Sequence, residues 1–278
     1  MTGQPLLHRL EVFYDSLPRA EARAESIGAF TLFVREGTGW PFYARPLLPF
    51  TGTAEDIAAV RARQRELRVP ESFEWLDDLA PDLLAIAREA GLEVLEAPLL
   101  LLDPDKLPTT TPLPPGVRVR ILDPTDERCA AELAAHTAVA RVGFGAAGTA
   151  VGRAGPTDRD RITVPVSEAE VAQERRRVTE GRLVRAVAES DRHGFLGVGS
   201  LQRAGEVAEV TGVATLPMAR RQGLGAAVTV ALARHALTTG AQLVIVSAVS
   251  EEVCRLYQRL GFQRIGTACI AQPPPLRP

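Results

Sequence analysis

Residues 213–226 read VATLPMARRQGLGA and decide the fold of this 278-residue chain. The stretch begins with a strand pattern and passes through Gly223 and Gly225 into a helix predicted over 225–238. Glycines permit close backbone approach, and the first amides of the following helix point towards the turn. Arg220 and Arg221 add cations beside those amides. The stretch therefore predicts a strand, turn and helix that hold an anion, and a pyrophosphate suits the helix amides.

Two other phosphate-binding loops fit this stretch poorly. A Walker A loop requires a lysine after its last glycine, but the only lysine of the chain is Lys106. A dinucleotide-binding fingerprint requires a third glycine and an acidic residue after the next strand, and residues 223–228 and 242–248 contain neither. Both classes of nucleotide site are disfavoured.

The composition is that of a globular protein. Hydrophobic residues make up 46% and charged residues 24%, and the 32 basic and 34 acidic residues give no reason to expect nucleic acid. The three cysteines form no C-x-x-C pair, which excludes a zinc ribbon and favours a reducing cytoplasm. No leader pattern and no run of about 18 apolar residues occurs, so we expect neither export nor a membrane span.

A proline-rich segment divides the chain. Residues 107–116, LPTTTPLPPG, can continue neither a helix nor a central strand. Because the chain exceeds the usual single-domain size, we predict an accessory α/β domain over 1–106, a linker over 107–116 and a catalytic domain over 117–278.

The predicted elements alternate between strands and helices in both halves. Upstream we predict strands at 27–36 and 39–46 around the turn Gly37-Thr38-Gly39, helices from Thr53 and from Pro81, and strands at 72–76 and 92–102. Downstream we predict strands at 117–122, 183–188, 195–201, 207–215 and 243–248, a last strand from Phe262, helices at 123–139, 167–179, 225–238 and 251–260, and an irregular connection at 142–166. The downstream order indicates an antiparallel meander followed by a parallel strand–helix–strand unit.

Two motifs in the downstream half belong to one pattern. Arg220, Gly223 and Gly225 fit [QR]-x-x-G-x-[GA], and residues 256–262 read LYQRLGF, which fits Leu-Tyr-x-x-Leu-Gly-Phe. With both motifs, residues 117–270 resemble the GNAT superfamily of N-acetyltransferases. The resemblance implies an α/β (α+β) fold with a mixed, mostly antiparallel sheet, a central parallel unit and flanking helices.

The resemblance also implies how acetyl-CoA binds. In GNAT proteins the pantetheine arm pairs with the strand that precedes the glycine turn, and the pyrophosphate lies on the turn. The matching strand residues are Val213, Ala214 and Thr215, and the matching turn residues are Arg220, Arg221, Gln222, Gly223, Leu224, Gly225 and Ala226. Tyr257 matches the tyrosine that protonates the departing thiolate, which is a plausible task for a phenol. The alternative is an aromatic side chain that only packs on the next strand.

Two further positions are less distinct. Glu209 lies in the strand before the turn, where some GNAT proteins place a general base, although it could equally face solvent. Ser250 stands where the family commonly has an asparagine that contacts the cofactor, but a serine before Glu251 and Glu252 also suits a helix cap. His8, His136, His193 and His235 are isolated, so we expect no metal site.

The N-terminal half repeats part of the same order of elements. Its glycine turn is followed by Glu55 and Asp56, which place acids where a phosphate would bind. We therefore expect either a degenerate GNAT-like repeat that binds no CoA, giving two GNAT-like halves in tandem, or an unrelated accessory domain.

The function that follows is acetyl transfer from acetyl-CoA to an amine by direct attack in a ternary complex. The acceptor is a small-molecule amine or a peptide, and we expect no nucleic acid and no membrane partner. One alternative is a non-catalytic CoA-binding sensor or docking module. Another is a transferase that uses a different acyl donor, such as an aminoacyl-tRNA, which the lack of a basic excess disfavours.

Overall fold

The computed structural model describes residues 4–37, 39 and 41–274, which divide into two compact units. The first contains the chain up to Leu99, Ser247–Glu251 and the residues from Arg264 onward; the second contains Leu100–Val246 and Glu252–Gln263. Residues 107–116 thus belong to the second unit. The assignment of a catalytic domain to 117–278 stays a prediction.

The first unit is built on a small mixed sheet. Its elements are α1 (Gln4–Arg19), β1 (Ala22–Ile27), β2 (Phe30–Arg35), β3 (Ala44–Pro46), α2 (Ala54–Glu66), β4 (Phe73–Leu76), α3 (Pro81–Glu89), most of β5 (Glu93–Leu102) and most of β11 (Phe262–Gln272). The strands follow the order β1, β2, β3, β4, β11, and Phe30, Phe73 and Trp75 are fully buried on them. The sequence prediction missed α1 and β1, and Thr38 of the predicted turn lies outside the described residues.

The second unit contains the predicted meander and parallel unit. Its elements are β6 (Val117–Ile121), α4 (Cys129–Gly145), α5 (Pro156–Asp160), α6 (Glu168–Thr179), β7 (Leu183–Ser190), β8 (Gly194–Ala204), β9 (Val207–Thr215), α7 (Leu224–Thr238), β10 (Leu243–Ser247) and, largely, α8 (Glu251–Gln258). Strands β6 to β9 pair antiparallel in sequence order, and β10 pairs parallel to β9. The predicted mixed, mostly antiparallel α/β fold is confirmed.

Helix α4 begins six residues later than predicted. Asp123 accepts hydrogen bonds through one carboxylate oxygen from the main-chain nitrogen of Thr125, at 2.8 Å, and from its hydroxyl, at 2.7 Å. This local turn competes with a helix for the same amide. The helix therefore starts only at Cys129.

His136 is a buried neutral side chain on the inner face of α4. Its ring nitrogen Nε2 lies 3.3 Å from the carbonyl oxygen of Gly199 on β8. Burial, and next the charge of Arg185, lower the pKa of His136 to about 3. Because the unfolded chain would bind a proton below about pH 6.5 and the folded chain would not, acid favours unfolding in this window.

We expect this histidine to make the protein acid-sensitive. The free energy of unfolding should fall by about 2 kcal/mol between pH 7 and pH 5 on account of His136. Urea unfolding at both pH values measures this fall. The variant His136→Gln keeps a donor for the Gly199 carbonyl and should lose that part of the pH dependence; an equal fall in both proteins would contradict the assignment.

Candidate functional site

On one edge, β9 extends beyond its pairing with β10. Strand β10 pairs with β9 from Val207 to Val210, whereas β9 continues to Thr215. On the other edge, β8 pairs with β9 as far as Thr215, with a register shift between Val198 and Ser200. Gly212, at φ 62°, lies at this bulge. Residues 211–215 therefore have backbone that β10 does not cover, and they include the predicted pantetheine-binding residues Val213, Ala214 and Thr215.

The turn after β9 ends in a helix without a side-chain cap. Arg221 has φ 62° and Gly223 has φ 81°, and α7 begins at Leu224. The capping residue Gly223 has no side chain that could accept from the first amides of α7, and the bond from the nitrogen of Ala227 to the Gly223 oxygen, at 2.9 Å, is the first that reaches the capping residue. The amides of Leu224, Gly225 and Ala226 precede that bond and are the orphan donors of a helix N-terminus. This arrangement favours an anion.

The two glycines of the turn have different structural roles. A Cβ on Gly223 would lie 2.9 Å from the carbonyl oxygen of Pro112, and its positive φ disfavours any L side chain. A Cβ on Gly225 would lie 3.7 Å from both Val213 Cγ1 and Thr215 Oγ1, which is ordinary contact. The start of α7 is thus packed beside the end of β9, which brings the predicted pantetheine and pyrophosphate residues together.

We expect alanine substitutions at Gly223 and at Gly225 to have different effects on stability. Gly223→Ala should lower the free energy of unfolding by about 1–3 kcal/mol through backbone strain and crowding. Gly225→Ala should be neutral or stabilising by about 0.5–1 kcal/mol, because alanine suits a helical position better than glycine. Urea unfolding of both variants measures the difference, and equal stabilities would refute this account of the turn.

The two arginines of the turn contact protein groups. Arg220 is half-buried, and its guanidinium donates to main-chain carbonyls at the end of α4. Arg221 is exposed, donates to Thr149 Oγ1 at 3.1 Å and forms an ion pair with Glu252 on α8. Gln222 is exposed beside them. A phosphate contact by either arginine stays a prediction, and Glu252 is a partner that the sequence analysis did not identify, although it lies in the acidic pair after Ser250.

Tyr257 is buried on α8. Only 6% of its surface is exposed, and its ring packs edge-on against Phe262 with ring centroids 5.9 Å apart. Burial raises the pKa of Tyr257 to about 12. The phenol is therefore protonated at neutral pH, which is the form that the acid role implied by the sequence resemblance requires, although the raised pKa makes it a weaker acid than an exposed tyrosine.

The two remaining predicted residues are Glu209 and Ser250. Glu209 is half-buried in β9 and is paired in register with Gln202 of β8 and Ile245 of β10. Ser250 is exposed and directly precedes α8. A base role for Glu209 and a cofactor contact for Ser250 stay predictions.

Gly143 is a residue of the site that the sequence did not indicate. A Cβ at Gly143 would lie 3.0 Å from Ala214 Cβ and 3.2 Å from the Thr215 oxygen. Helix α4 therefore passes close over the end of β9, and any side chain at position 143 would crowd Ala214 and Thr215. The signal in the sequence is one glycine among several in 143–155, which does not distinguish it.

The N-terminus of α2 in the first unit contrasts with that of α7. Asp56, the third residue of α2, accepts a hydrogen bond from the Thr53 nitrogen at 2.8 Å. Its carboxylate also fills the space that a Cβ on Gly28 would occupy. An acid thus stands where the predicted degenerate turn would hold a phosphate.

Among the described residues, no group of three or more His, Cys, Asp or Glu side chains could hold a metal ion. No described helix is long and apolar enough to cross a membrane.

Comparison with known proteins identifies the fold. Residues 198–271 match a family model described as FR47-like protein. No curated protein sequence matches the chain. A solved GCN5-related N-acetyltransferase from Kribbella flavida is 22% identical over 96% of this chain and 95% of its own, with a TM-score of 0.67.

Two further solved structures are similar over most of the chain. A tandem GNAT protein from the clavulanic acid biosynthesis pathway is 18% identical over 90% of this chain and 80% of its own, with a TM-score of 0.54. A GNAT-family protein from Novosphingobium aromaticivorans is 17% identical over 93% and 94%, with a TM-score of 0.51. At sequence identities this low, the structural similarity shows that the folds are alike and nothing more.

Proposed function

This chain is a GNAT-fold protein, and from that premise we propose that it transfers an acetyl group from acetyl-CoA to an amine. The amine attacks the thioester directly in a ternary complex. The acceptor is a small-molecule amine or a peptide, and the reaction uses no metal.

One observation carries the proposal. The start of α7 has no side-chain cap and lies beside the end of β9, where pairing with β10 has ceased. A diphosphate on the helix amides would therefore be continuous with a linear arm that pairs with Val213, Ala214 and Thr215. The end of β9 and the turn that follows it thus suit the pantetheine arm and the diphosphate of coenzyme A.

The chemistry in this proposal rests on two side chains. Tyr257 protonates the departing thiolate, whose pKa is about 8.5. Glu209 accepts the proton that the acceptor ammonium must lose before attack, directly or through water. No covalent intermediate on the protein is required.

Isothermal titration with acetyl-CoA tests the proposal first. We expect binding with a dissociation constant in the micromolar range, about 1–100 μM, as a preorganised diphosphate site allows. No heat of binding at millimolar ligand would refute the proposal.

The second test separates an enzyme from a CoA-binding sensor or docking module. Release of free CoA thiol should be measured across a panel of small amines, amino acids and peptides. We expect release that depends on one class of amine. Tight acetyl-CoA binding without any release would favour the non-catalytic module.

A further inference from the structure

Arg220 matches the first position of the glycine-turn motif, but its side chain points into the protein. Nη2 donates to the carbonyl oxygens of Gly143 and Ala146, at 2.7 and 3.0 Å. Nη1 lies 3.4 and 3.2 Å from the carbonyl oxygens of Ala147 and Ala150. Four carbonyls that lie 70 to 77 residues away along the chain therefore converge on one guanidinium.

Two of these carbonyls, those of Gly143 and Ala146, belong to the end of α4, and the other two lie in the segment that follows it. The last carbonyls of an α-helix have no partner within the helix and carry the negative end of its dipole. Helix α4 has no basic residue in its last turn, and its capping residue Ala146 is extended, at φ −103° and ψ 119°. Arg220 therefore supplies from the turn the cap that α4 lacks in its own sequence.

Further contacts attach the segment after α4 to the same turn. The Gly152 nitrogen donates to the Pro217 oxygen at 3.0 Å, and the Met218 nitrogen donates to the Ala154 oxygen at 3.0 Å. At the other end of the segment, Gly143 packs on Ala214 and Thr215. Residues 146–154 are thus held along the turn and beside the end of β9.

We propose that Arg220 is a positioning residue that acts on acyl transfer by capping α4 and fixing residues 146–154 beside the end of β9. The proposal rests on the proposed function, because it is at the end of β9 that the thioester would lie. The guanidinium already satisfies four carbonyls, and a diphosphate contact would leave that helix end without its cap. The helix amides serve the diphosphate instead, and Arg221, which is exposed, would have to exchange its contacts with Thr149 and Glu252 for a phosphate.

The proposal predicts which kinetic constants depend on Arg220. Loss of Arg220 should loosen residues 146–154, lower kcat and raise the KM for the acceptor, while the affinity for acetyl-CoA is kept. Loss of a residue that contacted the diphosphate would have the reverse effect: it would weaken acetyl-CoA binding and leave the mobility of residues 146–154 unchanged.

The test compares Arg220→Gln and Arg220→Lys with a matched control. Arg203 donates through Nη1 to the carbonyl oxygen of Thr239, the C-terminal capping residue of α7, at 2.7 Å. Arg203→Gln therefore removes the same kind of helix cap at the other end of α7. Three quantities are measured: amide hydrogen exchange of the chain without ligand, the dissociation constant of acetyl-CoA, and the kinetics with the amine that supports CoA release.

For Arg220→Gln we expect the Gly152 and Met218 amides to exchange at least about tenfold faster. We expect kcat to fall about tenfold while the acetyl-CoA dissociation constant changes by less than about threefold. The exchange rates and kcat of Arg220→Lys should lie between those of the parent and those of Arg220→Gln, because one ammonium group can contact fewer carbonyls than the planar guanidinium group. Arg203→Gln should change none of these quantities.

Two results would overturn the proposal. One is a dissociation constant raised about tenfold or more by Arg220→Gln with unchanged exchange, which would make Arg220 a phosphate ligand. The other is faster amide exchange in Arg220→Gln with unchanged kcat and acceptor KM, which would show that Arg220 caps α4 without affecting acyl transfer. If Arg220→Gln does not fold, Arg220→Lys decides between these outcomes by the same measurements. If the parent chain binds no acetyl-CoA, the proposed function fails, and the exchange data alone then decide whether Arg220 caps α4.

Discussion

Replacing Tyr257 with phenylalanine is expected to lower kcat by about 100- to 1000-fold, the range typical for loss of a positioned general acid. The ring of phenylalanine fills the same buried space against Phe262, so the fold should be retained. The dissociation constant of acetyl-CoA should change by less than about threefold, because the hydroxyl interacts chiefly with the thiolate that forms in the transition state. Steady-state CoA release and calorimetry measure the two effects.

The pH dependence gives an independent test of the same residue. Burial raises the pKa of Tyr257 to about 12, so the acid form persists through the whole neutral and mildly alkaline range. The parent enzyme should therefore lose no activity through Tyr257 ionisation below about pH 11. An activity loss centred near pH 10 that Tyr257→Phe abolishes would contradict the buried-phenol description, and an unchanged kcat in Tyr257→Phe would exclude the acid role.

The variant Ala226→Asp is expected to raise the dissociation constant of acetyl-CoA by about 100-fold or more, through competition for the helix amides and repulsion of the diphosphate. Ala226 is the third residue of α7, as Asp56 is the third residue of α2. An aspartate at this position can accept hydrogen bonds from the start of its own helix, as Asp56 does from the Thr53 nitrogen at 2.8 Å. The substitution thus gives α7 the cap that α2 has.

The thermal stability of Ala226→Asp distinguishes competition from damage. A negative charge in the first turn of a helix stabilises it by about 0.3–1 kcal/mol, so the unfolding temperature should stay the same or rise. Ala226→Asn is the matched neutral control and should weaken acetyl-CoA binding only about tenfold, because it lacks the charge. Binding by Ala226→Asp as tight as that of the parent would show that the diphosphate is not held at the start of α7.

Most elements of the second unit were predictable because their signals are local, but α5 lies within the stretch 142–166 that was predicted to be irregular. Alternating apolar residues and short turns define the meander of β7 to β9, and Gly223 and Gly225 mark the start of α7. The start of α4 was predicted too early because the Asp123 turn was not recognised as competing with a helix. In the first unit, α1 was missed although Leu6, Leu10 and Phe13 are buried at helical spacing.

The partners of the site residues could not be predicted in the same way. The motif identifies Arg220, but the carbonyls that bind it lie at the end of α4, and no sequence pattern relates the two segments. The same holds for Gly143, whose contact with Thr215 depends on how α4 crosses β9.

By itself the sequence determined the order of strands in the second unit, its helices other than α5, the glycine turn and the absence of an acid at the start of α7. Backbone torsion, hydrophobic periodicity and local charge depend on residues that are close together in sequence, so they can be predicted from the sequence. Only the tertiary structure decided that β10 pairs with β9 only as far as Val210, that Tyr257 is buried, and that Arg220 caps α4. These features depend on distances between segments far apart in sequence, and such distances are fixed only when the chain packs.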